Sequence, residues 1–207
     1  AFVYLGFQRP PGRAELRRSI EQQDIAALES YFDKIFVKPG DMLFIPGGVP
    51  HAIGGGIFMV EIMEPSDLVV RFEFERAGYT LPESARFMDR GLDFCLDIFD
   101  FDAKPESVVR RDYMFRPELE VTYGQTAQRY HLLGAETTPC FQVKKSVISG
   151  RVERSEDSFY TGVVTAGSCV IRTDTASIEL GTYDKFFRPA GLGTYEIEAD
   201  EEAGEDD

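Results

Sequence analysis

The sequence predicts a mainly β fold of two small β-barrels, with a helical insertion in the first and a helical connector between them. Three observations carry that reading. Residues 36–45, 57–75 and nearly everything after Glu118 are short extended runs rich in Val, Ile, Phe, Tyr and Thr. Turn signals such as Gly150, Ala166-Gly167 and Thr173-Asp174 separate most of the later runs. The Pro46-Gly47-Gly48 turn also returns in degraded form at Pro189-Ala190-Gly191, the trace an internal duplication leaves.

The elements follow in order. Ala1 to Phe7 reads as a strand with no initiator Met, basic region or cleavage pattern before it, so the chain is expected to be part of a longer protein. From Arg13 to Ile35 the apolar period changes: Leu16, Ile20, Ala27, Leu28, Tyr31, Phe32 and Ile35 fall at helical spacings, giving two short helices with Asp24 capping the second. Phe36 to Ile45 and Ile57 to Glu75 return to strand, the latter setting Val69, Arg71, Glu73 and Glu75 against Val70, Phe72 and Phe74. Pro82 to about Phe99 is a helix opened by its proline, with Phe87, Leu92, Cys95, Leu96 and Phe99 on one side. The division between barrels is expected near residue 105, giving a first domain of residues 1–105 and a second, smaller one of 106–207 without a metal motif and with an acidic tail. The second holds runs at Glu120 to Tyr123, Tyr130 to Leu133, Phe141 to Ile148, Tyr160 to Thr165, Cys169 to Thr173 and Ala176 to Leu180.

Composition narrows the function. At 207 residues, 43% hydrophobic and 13% aromatic, the chain can fill two small cores. Eight of the last twelve residues are acidic, so more than half of the net charge of −14 is concentrated in a solvated tail. No basic stripe exists to release phosphate counterions, which argues against nucleic acid, and no apolar run suits a spanning helix, which argues against a membrane segment. Cys95, Cys140 and Cys169 are odd in number and lie among apolar neighbours, so buried free thiols in a reducing, cytoplasmic setting are expected.

The chemistry concentrates in Gly40 to Gly55, GDMLFIPGGVPHAIGG. An apolar strand end at Phe44-Ile45 meets a turn whose glycines take backbone angles other residues avoid, and the chain re-enters extended structure at His51. This spacing matches the second signature motif of the cupin β-barrels, or jelly rolls, in which the His is a metal ligand. Two His in the whole chain cannot complete a metal site alone. His131, in the apolar run Tyr130-His131-Leu132-Leu133, is read as a structural His. Glu61, Asp67 and Arg71 form a charged cluster downstream, which on its own reads equally as a solvated face.

The run from Lys38 to Phe72 resembles the type I mannose-6-phosphate (phosphomannose) isomerases, through Pro46, Gly48, His51, Ala52, Glu61, Ser66, Asp67 and Arg71. Tyr4-Leu5-Gly6-Phe7 and Thr138-Pro139-Cys140-Phe141-Gln142-Val143 are similar to that family too. The resemblance implies that this is a C-terminal portion of a zinc enzyme that interconverts mannose 6-phosphate and fructose 6-phosphate through a cis-enediol. It makes His51 one zinc ligand, with a Gln, a second His and a Glu supplied by the N-terminal portion of the same protein. Arg71 matches the family's active-site Arg, and Glu61 is a candidate for the proton-transfer carboxylate. His51 is expected to face the interior of the first barrel on the same side as Arg71, with Thr194 at the equivalent point of a barrel that holds no metal. The alternative is a non-catalytic sugar-binding or regulatory protein of two cupin barrels. A cupin oxygenase or epimerase is a third reading, but an oxygenase's His-rich iron site is hard to build from two His.

Overall fold

The computed structural model describes residues 1–66 and 68–200, so Asp67 and most of the acidic tail lie outside the described residues. The chain forms two compact units, Ala1–Arg116 and Pro117–Asp207, and strands outnumber helices.

In the first unit β1 (Phe2–Leu5) is the central strand of an antiparallel sheet, flanked by β2 (Ile35–Phe36) and β4 (His51–Ile53). Two short ladders add β3 (Met42–Leu43) with β7 (Met114–Phe115), and β5 (Glu75–Arg76) with β6 (Tyr79–Thr80). The helices are α1 (Arg13–Glu21), α2 (Ile25–Ser30), α3 (Leu92–Leu96) and α4 (Glu106–Asp112). Asp24 caps α2 as expected, accepting from the Ala27 amide at 3.0 Å. Leu16, Ile20, Leu28 and Tyr31 pack with Phe7, Phe74, Leu92 and Leu96 in one core. Ile35 belongs instead to a second core with Val3, Leu5, Val49 and Val109. The helical period therefore stops at Ser30 and hands over to strand.

Three expectations are corrected. Phe36 to Ile45 is strand only at its two ends, as β2 and β3. The helix expected from Pro82 to Phe99 is a short 3-10 turn, Glu83–Ala85, and the separate α3, because Met88, Asp89 and Gly91 adopt left-handed backbone angles between them. Ile57 to Glu75 does not form a continuous strand. Residues 57–66, 68 and 69 are irregular, pairing begins only with the Val70–Phe87 bridge, and Phe58 and Leu68 are 70% and 79% exposed. What ends the irregular run is Gln23. Its amide gives a hydrogen bond to the Phe72 carbonyl at 2.8 Å and accepts from the Phe74 and Glu75 amides at 2.7 and 3.0 Å.

The second unit is almost wholly antiparallel. A meander joins β8 (Glu118–Tyr123), β9 (Ala127–Leu133) and β10 (Val143–Ile148). A four-stranded sheet runs in the order β11 (Arg151–Ser155), β16 (Thr194–Ala199), β13 (Cys169–Arg172), β14 (Ser177–Leu180), and β12 (Tyr160–Val163) pairs with β15 (Lys185–Arg188). Its core is Ala127, Val152, Ile171, Leu180, Tyr195 and Ile197. The unit boundary falls after Arg116, beyond the division expected near 105, because α4 sends Val109 into the first unit's core and β7 pairs with β3. Cys95 is buried as expected and Cys169 half-buried, whereas Cys140 is exposed in an irregular segment between β9 and β10.

Gly162 on β12 faces Phe186 on β15, and a Cβ added there would meet the Phe186 ring at 2.2 Å. Gly162→Ala is expected to destabilise the second unit by about 1–3 kcal/mol through that overpacking, read as a lower urea midpoint at unchanged slope.

Candidate functional site

His51 is the first residue of β4, and its position is set by the turn before it. Gly48 has φ +82°, and an added Cβ would lie 2.6 Å from the Ile98 carbonyl oxygen. The Gly48 carbonyl accepts from the Asp100 amide at 2.8 Å, and the Pro50 carbonyl accepts from the Gly6 amide at 2.8 Å. Val49 between them is buried in the core. Lys104 closes the arrangement. Its amide donates to the Phe7 carbonyl at 2.7 Å, its stem fills the space a Cβ on Gly6 would need, and its Nζ meets Asp100 Oδ2 at 2.6 Å. Sequence reading made nothing of this pair, since the burial of a lysine depends on what the fold places around it, and Lys104 is 8% exposed.

The register pairs His51 with Leu5 and Ile53 with Val3. Residues directly opposite in an antiparallel ladder share a face, so His51 stands on the face that Val3 and Leu5 bury. It is nevertheless exposed, because β4 has a ladder partner on one side only among the described residues. His51 Nδ1 lies 2.9 Å from the Val49 carbonyl. A carbonyl only accepts, so Nδ1 is the donor in this contact; in the neutral imidazole that leaves Nε2 as the acceptor, the arrangement in which a second interaction orients a metal-binding imidazole.

Arg71 is anchored differently. Its amide donates to the Arg86 carbonyl at 3.0 Å, immediately before the Gln23 clamp, while its side chain is exposed and pairs with no carboxylate among the described residues. Glu61 lies within the exposed irregular run and Asp67 outside the described residues. Neither Glu61 nor Arg71 hydrogen-bonds or ion-pairs with His51; the fold fixes His51 and the Arg71 backbone separately and does not join the three side chains. Among the described residues no three His, Cys, Asp or Glu side chains converge as a metal-holding group. The residues present thus do not fit a complete zinc site, which takes at least three protein donors. His131 on β9 is held by Glu136, Nε2 to Oε1 2.8 Å, in keeping with the structural role read from sequence. No helix among the described residues is long and apolar enough to cross a membrane.

No family model matches the chain. Curated proteins similar to it include the mannose-6-phosphate isomerase of Streptococcus mutans, 28% identical over 199 residues, which covers 91% of this chain and 54% of that protein. A probable mannose-6-phosphate isomerase of Bacillus subtilis is 24% identical, covering 90% and 54%. The chain spans about half the length of the curated relatives it matches. Among solved structures, the mannose 6-phosphate isomerase of Bacillus subtilis aligns with a TM-score of 0.69 at 22% identity, over 96% of this chain and 58% of that one. A putative mannosephosphate isomerase of Archaeoglobus fulgidus gives 0.57 at 13%, over 96% and 54%. The mannose 6-phosphate isomerase of Salmonella typhimurium, bound to substrate and a zinc atom, gives 0.53 at 16%, over 90% and 46%. The structural likenesses speak for the fold, and the curated relatives bear out the resemblance to mannose-6-phosphate isomerases that the residues suggested.

Two measurements check the packing that holds the turn. Gly48→Ala is expected to cost about 2–4 kcal/mol, a left-handed backbone plus a clash with fixed backbone, whereas Gly55→Ala, with open space and an ordinary φ, changes stability by less than about 0.5 kcal/mol. For the ion pair, the Lys104 ammonium holds the Asp100 carboxyl below the ordinary aspartate value of 3.8. Burial, the largest single influence, would lower Lys104, but the Asp100 hydrogen bond together with the charges of Tyr113, Asp100 and Asp102 outweighs it, and Lys104 is raised above 10.5. A depressed carboxylate contributes stability above its unfolded pKa and loses it as pH falls through the folded value; a raised lysine contributes below its unfolded pKa and loses it as pH rises through the folded value. Asp100→Asn is therefore expected to cost about 2 kcal/mol near neutral pH. That difference shrinks as the pH falls below 3.8, read by urea unfolding at several pH values.

Proposed function

We propose that this chain is part of a cupin-type aldose-ketose isomerase interconverting mannose 6-phosphate and fructose 6-phosphate, with each of its two units a jelly-roll barrel. The observation that carries the reading is the sequence likeness to isomerases across nine-tenths of the chain, a stretch that includes the Gly48 turn before His51, whose Nδ1 is held by the Val49 carbonyl. Isomerisation takes the proton from C2 and returns one to C1, while a hydroxyl proton leaves O2 and another arrives on O1, so no atom is gained or lost. Two tasks follow for this chain. A guanidinium, which keeps its charge at any working pH, stabilises the negative charge that develops on the enediol oxygens, and Arg71 is the residue for it. Glu61 is the carboxylate assigned to carry the proton.

His51 is proposed as one zinc donor, through Nε2. Because no group of described residues completes a zinc site, the remaining donors are assigned to a preceding portion of the same protein. The exposed face supports this. Met59, Val60, Ile62, Met63, Leu68 and Val69 are all solvent-exposed within one irregular run, and β4 beside it shows interior-facing residues on an unpaired edge. Apolar side chains in that number, next to an open edge, are what a strand-forming partner segment would cover.

The test is an assay of mannose 6-phosphate conversion together with bound-metal analysis, on the protein in the longest form its gene encodes. His51→Ala is expected to lose zinc and activity together. Arg71→Ala is expected to keep zinc and lower kcat by about 10²- to 10³-fold, the range measured for a lost oxyanion donor. Sugar phosphate binding without conversion in the unmodified protein would replace the isomerase with a sugar-binding module, and full zinc in His51→Ala would remove His51 from the donor set.

A further inference from the structure

The second unit contains two buried guanidinium groups, and only one has a counter-charge. Arg154 on β11 is 7% exposed and pairs with Glu156, and Arg129 reaches the same carboxylate at 2.9 Å. Burial pushes the Glu156 carboxyl up, but the cations outweigh it and hold it below the ordinary glutamate value. Arg188, the last residue of β15, is 2% exposed and pairs with no carboxylate among the described residues. Its Nη1 donates to the Ser158 and Ala190 carbonyls at 2.9 and 3.2 Å, its Nη2 donates to Gly193 at 2.9 Å, and the guanidinium lies 5.5 Å from the Tyr195 ring centre. These contacts use three of the five N–H groups. Nε has no acceptor, the one buried side-chain polar atom among the described residues left in that state.

Arg188 also lines a cavity of about 170 Å³, whose walls include Ile171, Ile178, Phe186, Leu192 and Tyr195. A buried cation without a counter-ion is costly, and carbonyl dipoles offset only part of that cost. The two donors left over, Nε–H and one N–H of Nη2, sit on adjacent nitrogens, from which a guanidinium forms its two-point pair with a carboxylate. The walls are largely apolar, so a sugar phosphate would lose the hydration of its hydroxyls without recovering hydrogen bonds.

We propose that this cavity of the second unit binds a compact carboxylate with an aromatic or branched aliphatic body, the carboxylate pairing with Arg188 and the body lying against Ile171 and Ile178. This site lies within the second unit and does not rest on the isomerase reading. Nε is covered from solvent in the present arrangement, so the ligand must part the side chains over it, and weak affinity follows.

Benzoate, benzamide and phenyl phosphate serve as probes, titrated into the full chain and followed by amide NMR shifts and calorimetry. Benzoate is expected to bind saturably with a millimolar or tighter Kd, to shift resonances of β13, β14 and the 189–193 turn, and to bind at least tenfold tighter than neutral benzamide. Ile178→Trp, which fills the cavity from β14 without touching the Arg188 contacts, is expected to abolish binding, and Arg188→Lys to weaken it at least tenfold if that variant folds. No saturable benzoate binding to the unmodified chain overturns the proposal, as does equal binding of benzamide, which would mark an apolar cavity indifferent to charge. Tighter binding of phenyl phosphate than benzoate overturns the carboxylate assignment. Retained binding in Ile178→Trp overturns the location.

Discussion

The constraint on which the first unit depends is the contact between the Gly48 turn and the segment from Ile98 to Lys104. Gly48 has no room for a side chain above the Ile98 carbonyl, its own carbonyl is tied to the Asp100 amide, and the Asp100 side chain is in turn tied to a nearly buried Lys104 packed over Gly6. Three stretches far apart in sequence are thereby fixed against one another: the end of β1, the turn before β4, and the approach to α4. Each contact is local, but their joint effect is to set where β4 begins and which way its first side chain stands. The imidazole of His51 inherits its direction from this packing and from the contact of its Nδ1 with the Val49 carbonyl.

Much of that was legible in the sequence, and the limits follow a physical pattern. Readings that rest on local rules held: the two helices after Arg13, the Asp24 cap, the extended runs of the second unit and the tight turn before His51 all follow from side-chain period, capping chemistry or glycine backbone freedom. Readings that needed a distant partner failed. Ile57 to Val69 has the composition of a strand, but a strand exists only as a member of a ladder, and among the described residues no ladder partner reaches 57–66, 68 or 69. The helix expected after Pro82 had the right apolar spacing, yet Met88 and Asp89 turn left-handed, a choice set by tertiary packing rather than by propensity. Lys104 and Arg188 were missed for a related reason, since burial of a charge depends on what the rest of the chain places around it.

The exposed run and the open β4 edge belong to the same problem. The face that Val3 and Leu5 bury on β1 continues onto exposed residues of β4, and exposed apolar residues follow in the irregular run. The Gln23 amide then gathers the chain again at Phe72. Arg71 lies at the junction between the bare segment and the clamped one, with its backbone fixed and its side chain exposed. That is a favourable place for a binding residue, because the anchor costs nothing in reach.

The repeated Pro-x-Gly turn shows how far a motif can be carried. At Pro46 the third residue, Gly48, takes the positive φ and the chain passes directly into β4. At Pro189 the equivalent Gly191 does not; Ala190–Leu192 winds into a 3-10 turn and Gly193 takes the positive φ instead. The strands that follow also differ, since β4 has one ladder partner and β16 lies between β11 and β13. Two stretches with one sequence pattern therefore hold different backbones, and the residue that follows each turn stands in a different environment: His51 on an edge strand with its Nδ1 against the Val49 carbonyl, Thr194 paired with Ser155 inside a sheet. At the second turn the buried polar group comes from the residue before it, Arg188, whose contacts to the Ala190 and Gly193 carbonyls tie it to the wound backbone. The two turns share a Pro-x-Gly sequence but not a backbone, so each unit has to be judged by its own side chains.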